Sequence, residues 1–323
     1  MRPALSAYPE TPAERDAWIL ARRPPRNPLD PTRPWAFFVE DERSASGETL
    51  PVATVFLTNR ECPWRCLMCD LWRNTLPADT PAGAIPSQIR HALDQFPPTR
   101  HIKLYNSGSF FDRKAIPLDD HPAIARLVAP FERVIVECHP ALVNDDCLRF
   151  RDLLSGHLEI AMGLETAHPE VLARLNKRMT LDQFAAAAER LRQNSIDLRV
   201  FILVQPPFMQ PADALTWTAR SLDFAFDCGA TAATLIPTRA GNGAMEALAA
   251  FGDFSPPSLT TVEAAAAYGI ALNRGRVFVD LWDLRRPCAC PHCNEQRIAR
   301  LHTMNLHQTL PPPIACDHCG GAS

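Results

Sequence analysis

The feature that most limits what this chain can become is a set of three cysteines, Cys62, Cys66 and Cys69, spaced CxxxCxxC. They come directly after an apolar, β-branched run, Val52–Asn59 (VATVFLTN), that reads as a buried strand. A strand ending in a loop of thiols puts soft ligands at one end of a sheet, where they suit zinc or an iron–sulfur cluster. A closed zinc site needs a fourth ligand nearby. Asp70 is adjacent, but no further Cys or His follows until His91. The other option is a [4Fe–4S] cluster held through three of its irons, with the fourth left open to an outside ligand.

The surroundings of this loop define the fold class. Short apolar runs recur at His101–Asn106, Arg133–Cys138, Leu158–Leu164, Leu198–Val204 and Thr231–Pro237. Between them lie helix-like stretches at Ser87–Gln95, Pro122–Phe131, Asp145–Leu154, Leu181–Gln193 and Ala212–Cys228. Alternating strands and helices predict an α/β chain with a parallel sheet and right-handed crossovers. Six such units make a partial (β/α)6 TIM-type barrel, and Val277–Trp282 offers a further strand toward a complete one. The expected organisation is an N-terminal arm over 1–50, the barrel over 51–275 and a Cys-rich extension over 276–323. The arm is rich in Pro and Arg, with a short helix expected near Ala13–Arg22, and packs as a solvated tail along the barrel.

Active sites on such barrels sit at the C-terminal ends of the strands, and the polar motifs fall there. The cysteine loop follows the first strand, Asn106-Ser107-Gly108-Ser109 the second, Glu137 ends the third, and Gly163-Leu164-Glu165-Thr166 ends the fourth. Each has a plainer reading: Asn, Ser and Gly are ordinary turn residues, and the two glutamates are ordinary surface carboxylates. Arg239, Asn242 and Gly243 follow the sixth strand and are placed to meet a cofactor or a substrate.

Eleven cysteines, an odd number, argue against a complete disulfide framework. Five lie near the C-terminus, at Cys288, Cys290, Cys293, Cys316 and Cys319, as CxxC pairs flanking a helix-like stretch. That spacing predicts a second metal site, either tetrahedral Zn²⁺ or an auxiliary iron–sulfur cluster. Cys138, Cys147 and Cys228 read as small buried side chains. The formal net charge of -3 excludes a strongly basic nucleic-acid binder overall. No apolar run reaches the ~18 residues of a membrane span, and the N-terminus has no secretory apolar region, so a cytoplasmic protein is expected.

The cysteine loop and the strand-end motifs together resemble the radical S-adenosylmethionine (SAM) superfamily. The resemblance implies that Cys62, Cys66 and Cys69 hold a [4Fe–4S] cluster whose open iron chelates SAM. The reduced cluster then cleaves SAM to a 5′-deoxyadenosyl radical that abstracts hydrogen from a substrate. It also implies backbone contact with adenine at Met68, a departure from the family's usual aromatic residue. Asn106, Ser107 and Gly108 would contact the methionine amino group. Glu137 and Glu165 resemble acidic residues of the Elongator-like branch. Lys177 or Arg178, in LNKRMT, would reach the methionine carboxylate. The stretch from Glu159 to Phe208 and YNSGSFFD (Tyr105–Asp112) resemble the radical SAM subunit of archaeosine synthase and its bacterial relatives. Those act with a partner subunit on a lysine-modified 7-deazaguanine base in tRNA, cleaving a C–N bond. Besides SAM and the cluster, a reductant such as flavodoxin or ferredoxin is implied. Two other readings stand beside this one. The first is a radical SAM enzyme acting on a small metabolite or natural-product precursor, favoured by the acidic balance. The second is a non-catalytic scaffold with zinc in both cysteine sets.

Overall fold

The computed structural model describes residues 8–282, 284 and 290–318. Cys288 and Cys319 of the expected metal set lie outside them. One sheet carries eight strands in chain order: β1 (Ala36–Arg43), β2 (Thr49–Phe56), β3 (His101–Tyr105), β4 (Arg133–Glu137), β5 (His157–Glu165), β6 (Asp197–Val204), β7 (Ala232–Pro237) and β8 (Arg276–Val279). The pair β1–β2 is antiparallel, and every later pair is parallel.

Helices follow the parallel strands: α2 (Ala84–Leu93), α3 (His121–Val128), α4 (Asp145–Leu153), α5 (Pro169–Arg174) with α6 (Leu181–Gln193), α7 (Ala214–Asp227), and α8 (Ala244–Phe251) with α9 (Leu259–Ala271). An N-terminal helix α1 (Pro12–Leu20) and a C-terminal helix α10 (Asn294–His307) flank the barrel. The partial TIM-type barrel expected from the alternation is present, but the sheet passes both expected limits. β8 is a seventh parallel strand, and β1, inside the expected arm, is an antiparallel eighth. In β1 the alternation Phe38, Glu40, Glu42 puts acids rather than apolar residues inward, so it does not read as a buried strand.

The strands segregate their side chains by the two-residue period. Ile102, Leu104, Val134, Val136, Ile160, Val200 and Ile202 face outward and form the main core with the helices. The inward set is charged at the bottom of the barrel. Arg199 of β6 donates to Glu42 of β1 at 2.7 and 2.9 Å and to Glu159 of β5 at 2.6 Å. A strand can reach a partner five places away in sheet order only if the sheet curls, so this ion pair spans the barrel floor. Lys103 joins Glu42 and Glu40, Arg133 joins Glu159 and Asp197, and Arg276 lies 3.6 Å from Glu159. Among the described residues the floor therefore sets Lys103, Arg133, Arg199 and Arg276 against Glu40, Glu42, Glu159 and Asp197, a neutral sum. Burial opposes the Arg199 charge, but Glu42 and Glu159 hold its pKa raised. Removing one partner would leave uncompensated charge in the interior. Arg199→Met is expected to lower unfolding free energy by about 3–5 kcal/mol, measured by urea denaturation, with Glu42→Gln in the same chain recovering part of the loss.

Candidate active site

Strand β2 ends at Phe56, and the loop that follows carries Cys62, Cys66 and Cys69 over the C-terminal mouth of the barrel. Three separate parts of the chain hold this loop. The Asn242 Nδ2 group, after β7, donates to the carbonyls of Leu67 at 2.8 Å and Cys69 at 3.1 Å. Asn176 Nδ2 donates to the Arg65 carbonyl at 2.8 Å, and the Leu67 N–H donates to Leu175 O at 2.9 Å. Glu61 receives Arg23 at 2.7 Å, Arg26, and Arg65 at 3.1 Å. The N-terminal arm is therefore a strap tied to the residue before Cys62, not a solvated tail.

The three thiols sit together but not tightly. Burial pushes each of them up to about 12, so binding a metal must displace their protons. A single tetrahedral zinc, with Zn–S of about 2.3 Å, brings its sulfurs to about 3.8 Å from one another. Among the described residues the only set of three candidate ligand atoms lying mutually within 4.8 Å is Cys290, Cys293 and Cys316. Cys62, Cys66 and Cys69 do not meet that closely. In a polynuclear cluster each of the three sulfurs would take a different iron.

The neighbouring strand ends complete the mouth. The Glu137 carboxylate accepts the backbone N–H groups of Asn106 at 2.6 Å and Ser107 at 2.9 Å. Burial raises Glu137 to about 7 against the pull of those N–H groups. Gly108 stands against Cys62: a Cβ there would lie 3.2 Å from Cys62 Cβ. Asn106 is fully buried, and both its amide atoms lack a hydrogen-bond partner. An orphaned carboxamide in the same strand-end turn as Gly108, which stands against Cys62, is the observation that most directly fits a polar ligand at this mouth.

Glu165 ends β5 at a bulge, with φ of 67°, and its carboxylate receives Lys177 Nζ at 2.6 Å. Both side chains are buried. Burial works against the Lys177 charge, yet Glu165 and the nearby Cys66 keep its pKa raised. Gly163 is required by this pair. A Cβ there would meet Glu165 Oε1 at 2.1 Å and Lys177 Nζ at 2.5 Å. In the following loop Asn176 and Arg178 both take left-handed backbone, at φ of 57°. This directs Lys177 toward the thiols and Arg178 outward. The sequence offered Lys177 and Arg178 as equivalent candidates. The structure puts Arg178 against Asp16 of α1, with 44% of its side chain exposed, away from the mouth.

Met68 packs between two small apolar clusters on the rim. Trp64 lies flat on His139, with centroids 3.7 Å apart and planes 11° apart. His139 is tied to the Lys177 carbonyl at 3.1 Å and accepts the Ala141 N–H at 3.1 Å. Glu61 and the Trp64–His139 stack are not singled out in the sequence, whereas Gly163 is, as the first residue of the strand-ending Gly163–Thr166 motif. Cys138 and Cys147 lie in the core, as their isolation in sequence implied, and Cys228 packs at its margin.

Residues 57–209 match the radical SAM superfamily. The chain carries a radical SAM domain. It is similar to archaeosine synthase subunit beta of Methanosarcina acetivorans, 25% identical over 294 residues that cover 85% of this chain and 84% of that protein. An uncharacterized protein of Methanocaldococcus jannaschii is 23% identical over 253 residues, 73% of this chain and 69% of that one. Among solved structures, methylornithine synthase matches with a TM-score of 0.52 at 13% identity, covering 70% of this chain and 63% of its own. Elp3 of Methanocaldococcus infernus matches with a TM-score of 0.51 at 13% identity, covering 68% and 59%. This chain thus spans less than two thirds of each of those two structures, which share its fold.

Two buried histidines make the radical SAM domain sensitive to acid. Burial depresses His121, packed among Phe110, Phe111 and Phe150, to about 4. Burial and then Lys177 depress His139 to about 3. Below their ordinary 6.5 the unfolded chain takes up protons that the native state refuses. Stability is therefore complete above about 6.5 and falls as the pH drops, by up to about 1.4 kcal/mol per pH unit for each histidine. Denaturation midpoints at pH 7.5 and 5.5 are expected to show this loss, and His121→Phe to remove about half of that caused by the two histidines. Gly163→Ala is expected to break the Glu165–Lys177 pair and lower unfolding free energy by about 3 kcal/mol, while Gly83→Ala, whose Cβ would meet nothing within 4 Å, costs only the strain of its positive φ.

Proposed function

We propose that this chain is a radical SAM enzyme in which Cys62, Cys66 and Cys69 hold a [4Fe–4S] cluster and SAM rests among Met68, Asn106, Ser107, Gly108, Glu137 and Glu165. The observation that carries the reading is a loop of three free thiols over the mouth of a barrel, with a buried, unpartnered Asn106 at the neighbouring strand end. When bound, such a cluster supplies the electron that cleaves SAM and starts hydrogen abstraction from a substrate.

The chain's own residues then divide the work of binding. The Asn106 carboxamide offers a donor and an acceptor to the amino-acid end of SAM. Lys177, held upright by Glu165, offers a buried cation to its carboxylate. Glu137 keeps the Asn106–Gly108 turn in place by accepting its N–H groups. The strap from Arg23 and Arg26 to Glu61 and the Trp64–His139 stack cover the loop and limit water at the thiols.

The substrate reading is a modified base in tRNA, the 7-deazaguanine type, with C–N bond cleavage. It rests on similarity to proteins named archaeosine synthase subunit beta. Their designation as subunits supports a partner protein, and the cluster calls for a reductant such as flavodoxin or ferredoxin. A small-molecule substrate is the second reading, favoured by the net charge of -3. At the C-terminal set, Cys290 Sγ and Cys316 Sγ are 3.8 Å apart, the separation expected for sulfurs on one tetrahedral zinc. We therefore favour a single Zn²⁺ there, with a fourth ligand from Cys288 or Cys319. No helix among the described residues is long and apolar enough to cross a membrane.

Anaerobically reconstituted protein is expected to be brown, to hold about four irons at the 62/66/69 site, and to release 5′-deoxyadenosine from SAM. Cys62→Ala should release none; continued release would overturn the reading, and a colourless protein would favour the zinc scaffold. Lys177→Met is expected to weaken SAM binding about 30- to 100-fold, the loss of a buried charged hydrogen bond, while Arg178→Ala leaves it within about twofold; calorimetric titration reads both. A gel shift with bulk tRNA across salt concentrations separates the substrates: no binding at low salt counts against the nucleic acid.

A further inference from the structure

Strand β8 is last in the sheet, and among the described residues its far edge has no neighbouring strand. Unpaired strand edges are normally covered or closed into a barrel. Here two carboxamides of the C-terminal helix take the place of a strand. Gln308 Oε1 accepts the Val277 N–H at 2.7 Å, and its Nε2 donates to the Val277 carbonyl at 2.8 Å. Asn305 Oδ1 accepts the Val279 N–H at 2.8 Å, and its Nδ2 donates to the Val279 carbonyl at 2.9 Å. Each amide thus copies the donor and acceptor of one strand residue, at alternate positions along the edge.

The same helix reaches the other side of the sheet. α10 packs against β1 as well as β8, and Thr49 Oγ1, at the start of β2, donates to the Leu306 carbonyl at 3.0 Å. Leu301 and Met304 of α10 are buried in the main core. α10 therefore fills the gap that the incomplete barrel leaves between its first and last strands.

α10 begins at the C-terminal thiols. Cys293 is its N-cap, and Cys290, Cys293 and Cys316 converge within 4.8 Å. Arg297, one turn in, donates to Cys293 Sγ at 3.2 Å, pairs with Glu263 of α9 and donates to the Ile314 carbonyl at 3.1 Å. Arg300 donates to the carbonyls of Pro311 and Pro312 and pairs with Glu263 at 3.1 Å. The returning segment 311–316 is thus laced along α10 and brought back to its start.

We propose that the Cys290–Cys293–Cys316 centre is a structural clasp: one bound ion pins the start of α10 and the returning segment, and so holds Asn305 and Gln308 on the open edge of the barrel. This role rests on the single-ion reading of that centre, and it is distinct from electron transfer. Crosslinking positions 26 residues apart restricts the helix without contributing any group to the barrel mouth.

The test is hydrogen exchange by mass spectrometry on the full-length protein, with metal content measured in parallel. Cys316→Ser is expected to lose about one equivalent of metal and to speed exchange at Val277, Val279 and across 294–308 by about tenfold or more, leaving β3, β4 and β5 unchanged. Asn305→Leu with Gln308→Leu is expected to keep the ion and show the same acceleration at β8. If Cys316→Ser keeps its full metal content, the single-ion reading falls and the clasp with it. If the ion is lost and β8 stays protected, or every strand accelerates alike, the clasp alone is overturned while the metal reading stands. Protection of β8 in the Asn305/Gln308 variant would show that the amides do not cover the edge, and would also overturn it.

Discussion

The Arg199 guanidinium, clamped between Glu42 and Glu159, is the interaction on which the rest of this structure depends. It joins the first strand of the sheet to the fifth and sixth, and so holds the sheet in a curl. It also sets register. A one-residue slip in β3, β4, β5 or β6 would turn Lys103, Arg133, Glu159 or Arg199 toward the helices and the neighbouring aliphatic residues into the lumen. Buried ion pairs return little net stability compared with apolar packing. A floor of Val and Leu would be more favourable by area but would draw the barrel shut. The balanced charges leave an interior that is ordered, neutral and polar, with its mouth free for chemistry.

That balance explains which parts of the protein were legible in sequence. The outward faces of β3 to β7 are aliphatic and repeat at regular intervals, so the alternating α/β pattern and partial barrel follow from local residues. The strand-end motifs follow from the rule that chemistry collects at the C-terminal ends. β1 was not legible, because a strand whose inward positions are Phe38, Glu40 and Glu42 reads as a charged linker until Arg199 and Lys103 are seen opposite. Lys177 and Arg178 could not be separated either. Their directions are decided by left-handed backbone at Asn176 and Arg178 and by Asp16, which lies some 160 residues earlier. The strap was misread for the same reason: arginines look solvated until the buried acid they serve, Glu61, is located.

The two cysteine sets show how spacing and geometry carry different information. Both look in sequence like thiolate metal sites. In space, one is gathered to the dimensions of a single tetrahedral ion and knotted to a helix start, while the other is spread along a loop over an open barrel. The first sits among groups that stabilise structure, the second among groups with unmet hydrogen-bonding capacity. A saturated site and an unsaturated one differ less in their ligands than in what surrounds them.

The anchoring of the cysteine loop also has a consequence for how the protein is made. Arg23 and Arg26 leave the ribosome before Cys62, but the loop's other supports come late. Asn242, which holds the Cys69 carbonyl, is 173 residues further along the chain. At ordinary synthesis rates that is a delay of roughly 10–35 s. Throughout it, three thiols hang from a tethered but uncovered loop, beside a sheet that has not yet curled. The nascent chain, rather than the finished fold, is the form in which those sulfurs are most open to solvent and to whatever loads them.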